Sequence, residues 1–240
     1  MFSATGTMMK YILALDTSTP ETMIALIEAE DKFALPAKLS LETRSHGPVL
    51  LPSINRLLAD NQVDKSQLAA IAVGIGPGSF TGIRIGMATA KVIAWGLKIP
   101  LISLNSFEHL VTLYLNKNKV SPPLICLLDA RRNEVYSCVY SKGEYSLPNL
   151  LGNTEVSDFM EQFDQAVLAG SGVQLHRETI LSRKSNQFKL SKIELSPLGL
   201  ALLAHQKYLK KDFSSVVGVK PLYIRPSDAE KNRKNKIKKP

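Results

Sequence analysis

Hydrophobic positions along the chain fall into strand-length runs first and helical stripes afterwards, and the series then repeats. KYILALDTS (10–18), TMIALIEAE (22–30) and roughly FALPAKLSLE (33–42) are short and apolar or alternating. Turn residues such as Ser18-Thr19-Pro20 and Glu30-Asp31-Lys32 bound them, the pattern of a three-strand meander. Leu50, Ile54, Leu57 and Leu58 then share one helical face, predicting an amphipathic helix over about 47–60. Pro48 suits its opening, whereas Pro52 predicts a kink or a late start. AAIAVGI reads as a buried strand; the turn GIGPGSFTGIRIG (74–86), a helix and the strand IPLISL follow.

The second half restarts with PLICLLDA (123–130), EVYSCVYSK (134–142) and a third strand near 145–151. A helix over about 155–163, the strand QAVLAG, a helix over about 173–182 and a last helix, PLGLALLAHQKYL (197–209), complete it. Asp16 and Glu21 flank one turn, and Asp129 and Glu134 flank another 113 residues later. Gly74 and Gly76 are echoed by Gly170 and Gly172, 96 residues on, so the second copy is shorter by about one helix. The matches fall at equivalent points of one strand order. The expected class is α/β, a duplicated actin-like (ASKHA, ribonuclease H-like) fold of two lobes, each a mixed sheet flanked by helices. The lobes are expected at 10–104 and 105–225, with helix 197–209 a candidate to pack back on the first and 226–240 a basic tail.

Composition narrows the class. No stretch approaches the apolar length of a membrane span. Residues 1–9 lack the basic start and long apolar run of a signal peptide. They read as a leader, with Met8 or Met9 as an alternative start, and a cytoplasmic protein is expected. Cys126 and Cys138 lie in alternating stretches that a hairpin would bring together; they read as buried reduced thiols, too few for a zinc site alone. The net charge is +9, and residues 231–240, KNRKNKIKKP, hold six Lys/Arg and no acid. Such an end is either a solvated tail or a contact for an acidic partner such as RNA.

In the actin-like class a nucleotide lies between the halves, and hairpin turns hold its phosphates and metal. Asp16, Thr17 and Ser18 occupy the first such turn and Asp129 the second. A glycine-rich adenosine loop is thinly represented by Gly170-Ser171-Gly172, and both aspartates could equally cap their own hairpins. The 74–86 turn lacks the Lys-Ser/Thr ending of a P-loop and misses the dinucleotide spacing before Gly82. Beyond it, Gly82, Gly86, Ala90 and Ala94 recur every fourth residue. Each helical glycine costs roughly 1 kcal/mol against alanine, so close packing is the expected compensation. The small face lies on the chain's own sheet or 47–60 helix, or it meets another subunit. Ser79 or Thr81 offers the N-cap and Gly96 the stop.

The chain resembles the TsaB (YeaZ) family in ILALDTST (12–19), TRSHGPVLLPSI (43–54), GIGPGSFTGIRIGMATAKVIAWGLKIPLISLNS (74–106), LLDARRNEVYSCVY (127–140) and PLYIRPSDAE (221–230). These blocks span nearly its whole length. The resemblance implies a non-catalytic subunit required for threonylcarbamoyl transfer to the adenosine beside the tRNA anticodon. Its implied partners are a paralogous catalytic subunit, TsaD, and an ATPase, TsaE, with tRNA reached through the complex, a possible homodimer when alone, and no membrane. No cofactor is implied to bind firmly; ATP or ADP enters at the level of the complex. The pairing surface is implied to lie on the first-half helices, making Leu50, Ile54, Gly82, Gly86, Ala90 and Ala94 interface candidates. The catalytic paralogue carries two metal-binding histidines four apart after the strand equivalent to IPLISL. Here those positions hold Asn105 and His109, and one histidine at a half-buried or surface helix position is not a metal site. His46, His176 and His205 are scattered, with capping sufficient for His46, and there is no zincin pair, nucleophile elbow or cysteine in a basic setting. No catalytic or metal-binding residue is therefore expected. Two alternatives come from other classes: an ATP-using small-molecule kinase of the same fold, and a direct RNA-binding module resting on Arg131, Arg132 and the basic tail.

Overall fold

Alternation along the first strands decides which helices each sheet face receives. The structure, a computed structural model, describes residues 9–30, 38–42, 46–119, 122–184 and 187–225. In it β1 (Tyr11–Asp16) pairs antiparallel with β2 (Thr22–Glu28), which pairs antiparallel with β3 (Lys38–Glu42). On its other edge β1 runs parallel to β4 (Leu68–Gly76), and β4 to β5 (Leu101–Asn105). In the second sheet β6 (Leu124–Asp129) pairs antiparallel with β7 (Val135–Ser141) and parallel with β10 (Ala166–Ala169), itself parallel to β11 (Phe188–Leu190). Two short strands, β8 (Glu144–Tyr145) and β9 (Asn149–Leu151), share the outer edge of β7. The orders β3-β2-β1-β4-β5 and β8-β7-β6-β10-β11 are the same path walked twice. The duplication expected from the Asp16/Asp129 spacing is present.

Odd-numbered residues of β1 (Tyr11, Leu13, Leu15), with Ile24, Leu26, Ile71 and Val73, face α1 (His46–Asp60) and α2 (Phe80–Leu97). The even ones (Ile12, Ala14), with Met23, Ala25, Ala70 and Ala72, face the final helix, α7 (Pro197–Leu209). The helix α3 (Ser106–Leu115) instead places Phe107, Leu110 and Val111 on Leu124, Cys126 and Leu128 of the second sheet. The halves have thus exchanged their last helices, and α3 and α7 touch where the exchange crosses. Burying a Leu, Ile or Phe side chain stabilises by about 1.5–3 kcal/mol, so several such anchors per exchanged helix oppose separation of the lobes. The remaining face of the second sheet takes α4 (Asn153–Met160), α5 (Gly172–Leu175) and α6 (Arg177–Lys184) through Val156, Met160, Val173 and Ile180.

Several elements differ from expectation. The third strand begins at Lys38, and 33–37 lie outside the described residues. The helix expected over 173–182 is divided at His176, and the strand near 145–151 is two short pieces. α1 starts at His46 and continues through Pro52, which sits on the exposed face, where the carbonyl it leaves unbonded can be hydrated. Gly96 does not stop α2. Lys98 does, in the left-handed region at φ 55°, its N–H donating to Ala94 and Trp95 carbonyls.

After α7 the chain returns as a strap over both lobes. Ser214 bridges to Leu101, Lys91 Nζ donates to the Val219 carbonyl at 2.9 Å, and Leu222 N–H donates to the Ile75 carbonyl at 2.8 Å. Arg84 lies over the Phe80 ring at 3.8 Å and donates to the Tyr223 hydroxyl at 2.9 Å. Arg225 then forms an ion pair with Glu134 on the second lobe.

Candidate functional site

The turn leaving β1 is where a nucleotide would be sought. Asp16, Thr17 and Ser18 are buried there, with relative exposures of 1%, 1% and 4%. Asp16 Oδ1 accepts the Ser18 N–H at 2.7 Å, and its carboxylate lies where a Cβ on Gly74 would stand, 2.3 Å from Cγ. The Ser18 carbonyl accepts the Ser79 N–H at 2.7 Å, and a Cβ on Gly78 would come within 2.3 Å of it. The Thr17 hydroxyl donates to the Gly82 carbonyl at 2.7 Å. A Cβ on Gly82 would stand 1.9 Å from the Thr17 carbonyl oxygen, and one on Gly86 2.4 Å from the Thr17 hydroxyl.

The glycines of GIGPGSFTGIRIG therefore serve one purpose: they let the loop and first turns of α2 close over the Asp16–Ser18 turn. Gly76, at φ +93°, makes the bend that starts the closure. Ser79 caps α2 by accepting the Gly82 N–H. The structure brings Asp16, Thr17 and Ser18 together in one turn, where the Asp16 carboxylate, the Thr17 hydroxyl and the Ser18 carbonyl bond to the chain's own backbone while the Ser18 hydroxyl is buried with no hydrogen-bond partner among the described residues. Asp129 differs, being exposed on the second lobe, where Oδ1 accepts the Arg131 N–H at 2.6 Å and its N–H donates to Ser171 Oγ at 3.1 Å. It caps its own hairpin and the Gly170–Gly172 loop behind it.

The second candidate location is the start of α3. Asn105 Oδ1 accepts the Phe107 N–H at 2.8 Å, an N-cap. His109 is not a surface or half-buried residue, as expected, but fully enclosed at 1% exposure. Its Nε2 lies 2.9 Å from the Ser196 carbonyl oxygen and 3.2 Å from the Ser196 nitrogen. A Cβ on Gly199 would stand 2.6 Å from the ring, so Gly199 is the notch that admits it. Burial lowers the His109 pKa to about 4, with the Ser196 backbone bond opposing the shift. The ring is neutral at ordinary pH and welds α3 to α7. Sequence reasoning missed Ser196 and Gly199, since only the helix exchange brings residues 87 positions from His109 against it.

His176 Nδ1 lies 3.0 Å from Asn153 Oδ1, and His205 Nε2 2.9 Å from the Glu30 carbonyl oxygen; both rings are buried. His46 opens α1, and its side chain lies outside the described residues. Among the described residues, no group of three or more His, Cys, Asp or Glu could hold a metal ion. Cys126 and Cys138 are register partners across β6 and β7, buried and free, with burial raising both thiol pKa values.

The interface candidates also need correction. Leu50, Ile54, Gly82, Gly86, Ala90 and Ala94 are all buried against the first sheet and one another. What α1 and α2 present outward is their other side: Leu51, Val92 and Trp95, exposed at 54%, 69% and 77%. An apolar groove of ≈ 360 Å³ runs between the helices, lined in part by Leu51, Asn55, Val92 and Gly96. The signal was present in VIAW (92–95), which puts large apolar residues opposite the small stripe and makes α2 apolar on two sides. No helix among the described residues is long and apolar enough to cross a membrane.

A meander-plus-crossover sheet built twice, with acidic turns ending both first strands, defines a protein of the actin-like ATPase fold. Solved structures agree. YeaZ from Pseudomonas aeruginosa superposes with a TM-score of 0.71 at 26% identity, over 90% of this chain and 100% of that one. The Lmo2764 protein of Listeria monocytogenes, at 12% identity, shares the fold with a TM-score of 0.54 over 84% and 99% of the chains. The family model for TsaD, tRNA N6-adenosine threonylcarbamoyltransferase, matches residues 40–229. The tRNA threonylcarbamoyladenosine biosynthesis protein TsaB of Bacillus subtilis is 31% identical over 228 residues, 91% of this chain and 96% of its own. Its counterpart from Escherichia coli is 28% identical over 92% and 96%. The chain belongs to the TsaB (YeaZ) family, within the wider TsaD group.

Proposed function

We propose that this chain acts in tRNA threonylcarbamoyladenosine biosynthesis as a non-catalytic partner subunit. The group transferred is threonylcarbamoyl, the acceptor is the adenosine next to the anticodon, and a TsaD-type paralogue holds the chemistry. A TsaE-type ATPase supplies the nucleotide-dependent step at the level of the complex. The observation that carries the reading is the fate of the Asn105/His109 pair. One is a helix cap and the other a neutral ring sealed between two helices, so neither is available as a metal ligand where the catalytic paralogue would have two. The close packing of Gly78 and Gly82 against the Asp16–Ser18 turn adds support.

The outer side of α1 and α2 is the surface proposed for the paralogue. Leu51, Val92 and Trp95 form an exposed apolar patch beside a groove, the kind of feature that marks interaction sites. A second copy of this chain could take the same surface when the paralogue is absent. The test is reconstitution with threonylcarbamoyl-adenylate, unmodified tRNA, ATP and the ATPase, read by nucleoside mass spectrometry. Product is expected only when this chain and the paralogue are both present. Product from this chain alone would overturn the non-catalytic assignment.

A further inference from the structure

The outer side of α2 sets a charged residue beside its apolar ones, and that charge is held in place. Arg84, Ala88, Val92 and Trp95 are all exposed and recur at helical spacing. They form one stripe on the side opposite Gly82, Gly86, Ala90 and Ala94. At the start of the stripe the Arg84 guanidinium lies over the Phe80 ring at 3.8 Å, and its Nε donates to the Tyr223 hydroxyl at 2.9 Å. The Phe80 and Tyr223 rings are themselves stacked, with centroids 4.7 Å apart. These contacts fix the guanidinium while its Nη groups have no bond among the described residues. Lys91, further along the same helix, is engaged instead, its Nζ donating to the Val219 carbonyl at 2.9 Å.

A planar cation whose position is already fixed loses little freedom on pairing and matches a carboxylate through two parallel bonds. Exposed Arg, Trp and Tyr are also the residue types that carry most of the binding energy in protein interfaces. We infer that Arg84 is the polar anchor of the partner surface and takes the carboxylate of an Asp or Glu side chain on the paralogous subunit. The inference rests on the proposed pairing through α1 and α2. Charge decides between that subunit and a second copy of this chain. α2 holds no acid and α1 only Asp60, its last residue, whereas the two helices carry Arg56, Arg84 and Lys91. Two copies meeting through these helices set cations against cations, which opposes self-association. A subunit that brings an acid opposite Arg84 is favoured by the same charge. Phosphate is the poorer match, because phosphate sites gather several backbone N–H groups or cations, and Arg84 stands at the end of an apolar stripe.

The test measures the affinity of the full chain for the paralogue by isothermal titration calorimetry, and its self-association by sedimentation equilibrium. R84Q should weaken the heteromeric complex at least about tenfold. R84K should recover only part of that loss, because an ammonium cannot form the two-pronged pair. Y223F keeps the ring but releases Nε, and it should weaken the complex less than R84Q does. R84E should weaken the heteromer further and tighten self-association, since it supplies the acid that a second copy lacks. An unchanged heteromeric affinity of R84Q overturns the inference, and so does R84K binding as tightly as the wild type. An R84Q chain that pairs normally but loses binding to a tRNA transcript assigns the arginine to phosphate and likewise overturns it. V92D reads the proposed surface separately. Pairing lost in V92D but intact in R84Q keeps the surface and removes the anchor, whereas the reverse keeps the anchor and moves the apolar contact off this face.

Discussion

Glycine at position 82 offers a sharp test of why α2 carries its small stripe. In an open helix, Gly82→Ala would add stability, because alanine is favoured by roughly 1 kcal/mol. Here the new methyl would stand 1.9 Å from the backbone carbonyl oxygen of Thr17, a group at the buried end of β1 that cannot swing aside like a side-chain tip. Overpacking a well-filled interior costs about 1–3 kcal/mol. Displacing the helix also threatens the 2.7 Å bond from the Thr17 hydroxyl to the Gly82 carbonyl. Leaving that hydroxyl buried and unbonded costs about 1–3 kcal/mol more. After subtracting the propensity gain, the net expectation is a loss of about 1–5 kcal/mol. Gly96, on the last turn of the same helix, has nothing within 4 Å of its Cβ position. Gly96→Ala should therefore be neutral or stabilising by up to about 1 kcal/mol. Urea unfolding followed by far-UV circular dichroism measures both, provided the m-value is unchanged. A Gly82→Ala protein as stable as Gly96→Ala would refute the packing account of the loop.

Three further outcomes follow from other parts of the molecule. His109 has a folded pKa near 4 against an ordinary value of 6.5. The unfolded chain therefore binds more protons between those values, so stability is full above about pH 6.5 and falls by about 3 kcal/mol as the pH drops to 4. His109→Gln should flatten that part of the wild-type pH profile in denaturant titrations, and an unchanged slope would assign the acid sensitivity elsewhere. Val92→Asp and Trp95→Asp alter exposed positions, so stability should change by no more than about 0.5 kcal/mol while co-purification with the paralogue is lost; retained pairing would move the interface off this face. Cys126 and Cys138, buried with raised thiol pKa values, should react with Ellman's reagent only after denaturation, and fast labelling of the native chain would contradict their burial.

Much of this molecule was legible before any coordinates. Short apolar or alternating runs named the strands of both sheets apart from β11, and α7 was bounded at Pro197 and Leu209. The duplication was visible because the turn after each first strand needs the same Asx chemistry, supplied by Asp16 and Asp129. The four-residue spacing of Gly82, Gly86, Ala90 and Ala94 specified that something must approach α2 closely. It did not specify what. A helical stripe fixes a face and its depth, but the identity of the neighbour depends on chain segments far away in sequence. Tertiary structure decided that the neighbour of Gly82 and Gly86 is Thr17 and that the residues left outward are Val92 and Trp95. It likewise decided that α3 and α7 change lobes, burying His109 under Ser196. Local sequence determines periodicity, caps and turns through short-range sterics and hydrogen bonds; which apolar faces meet is settled by the whole chain burying them at once.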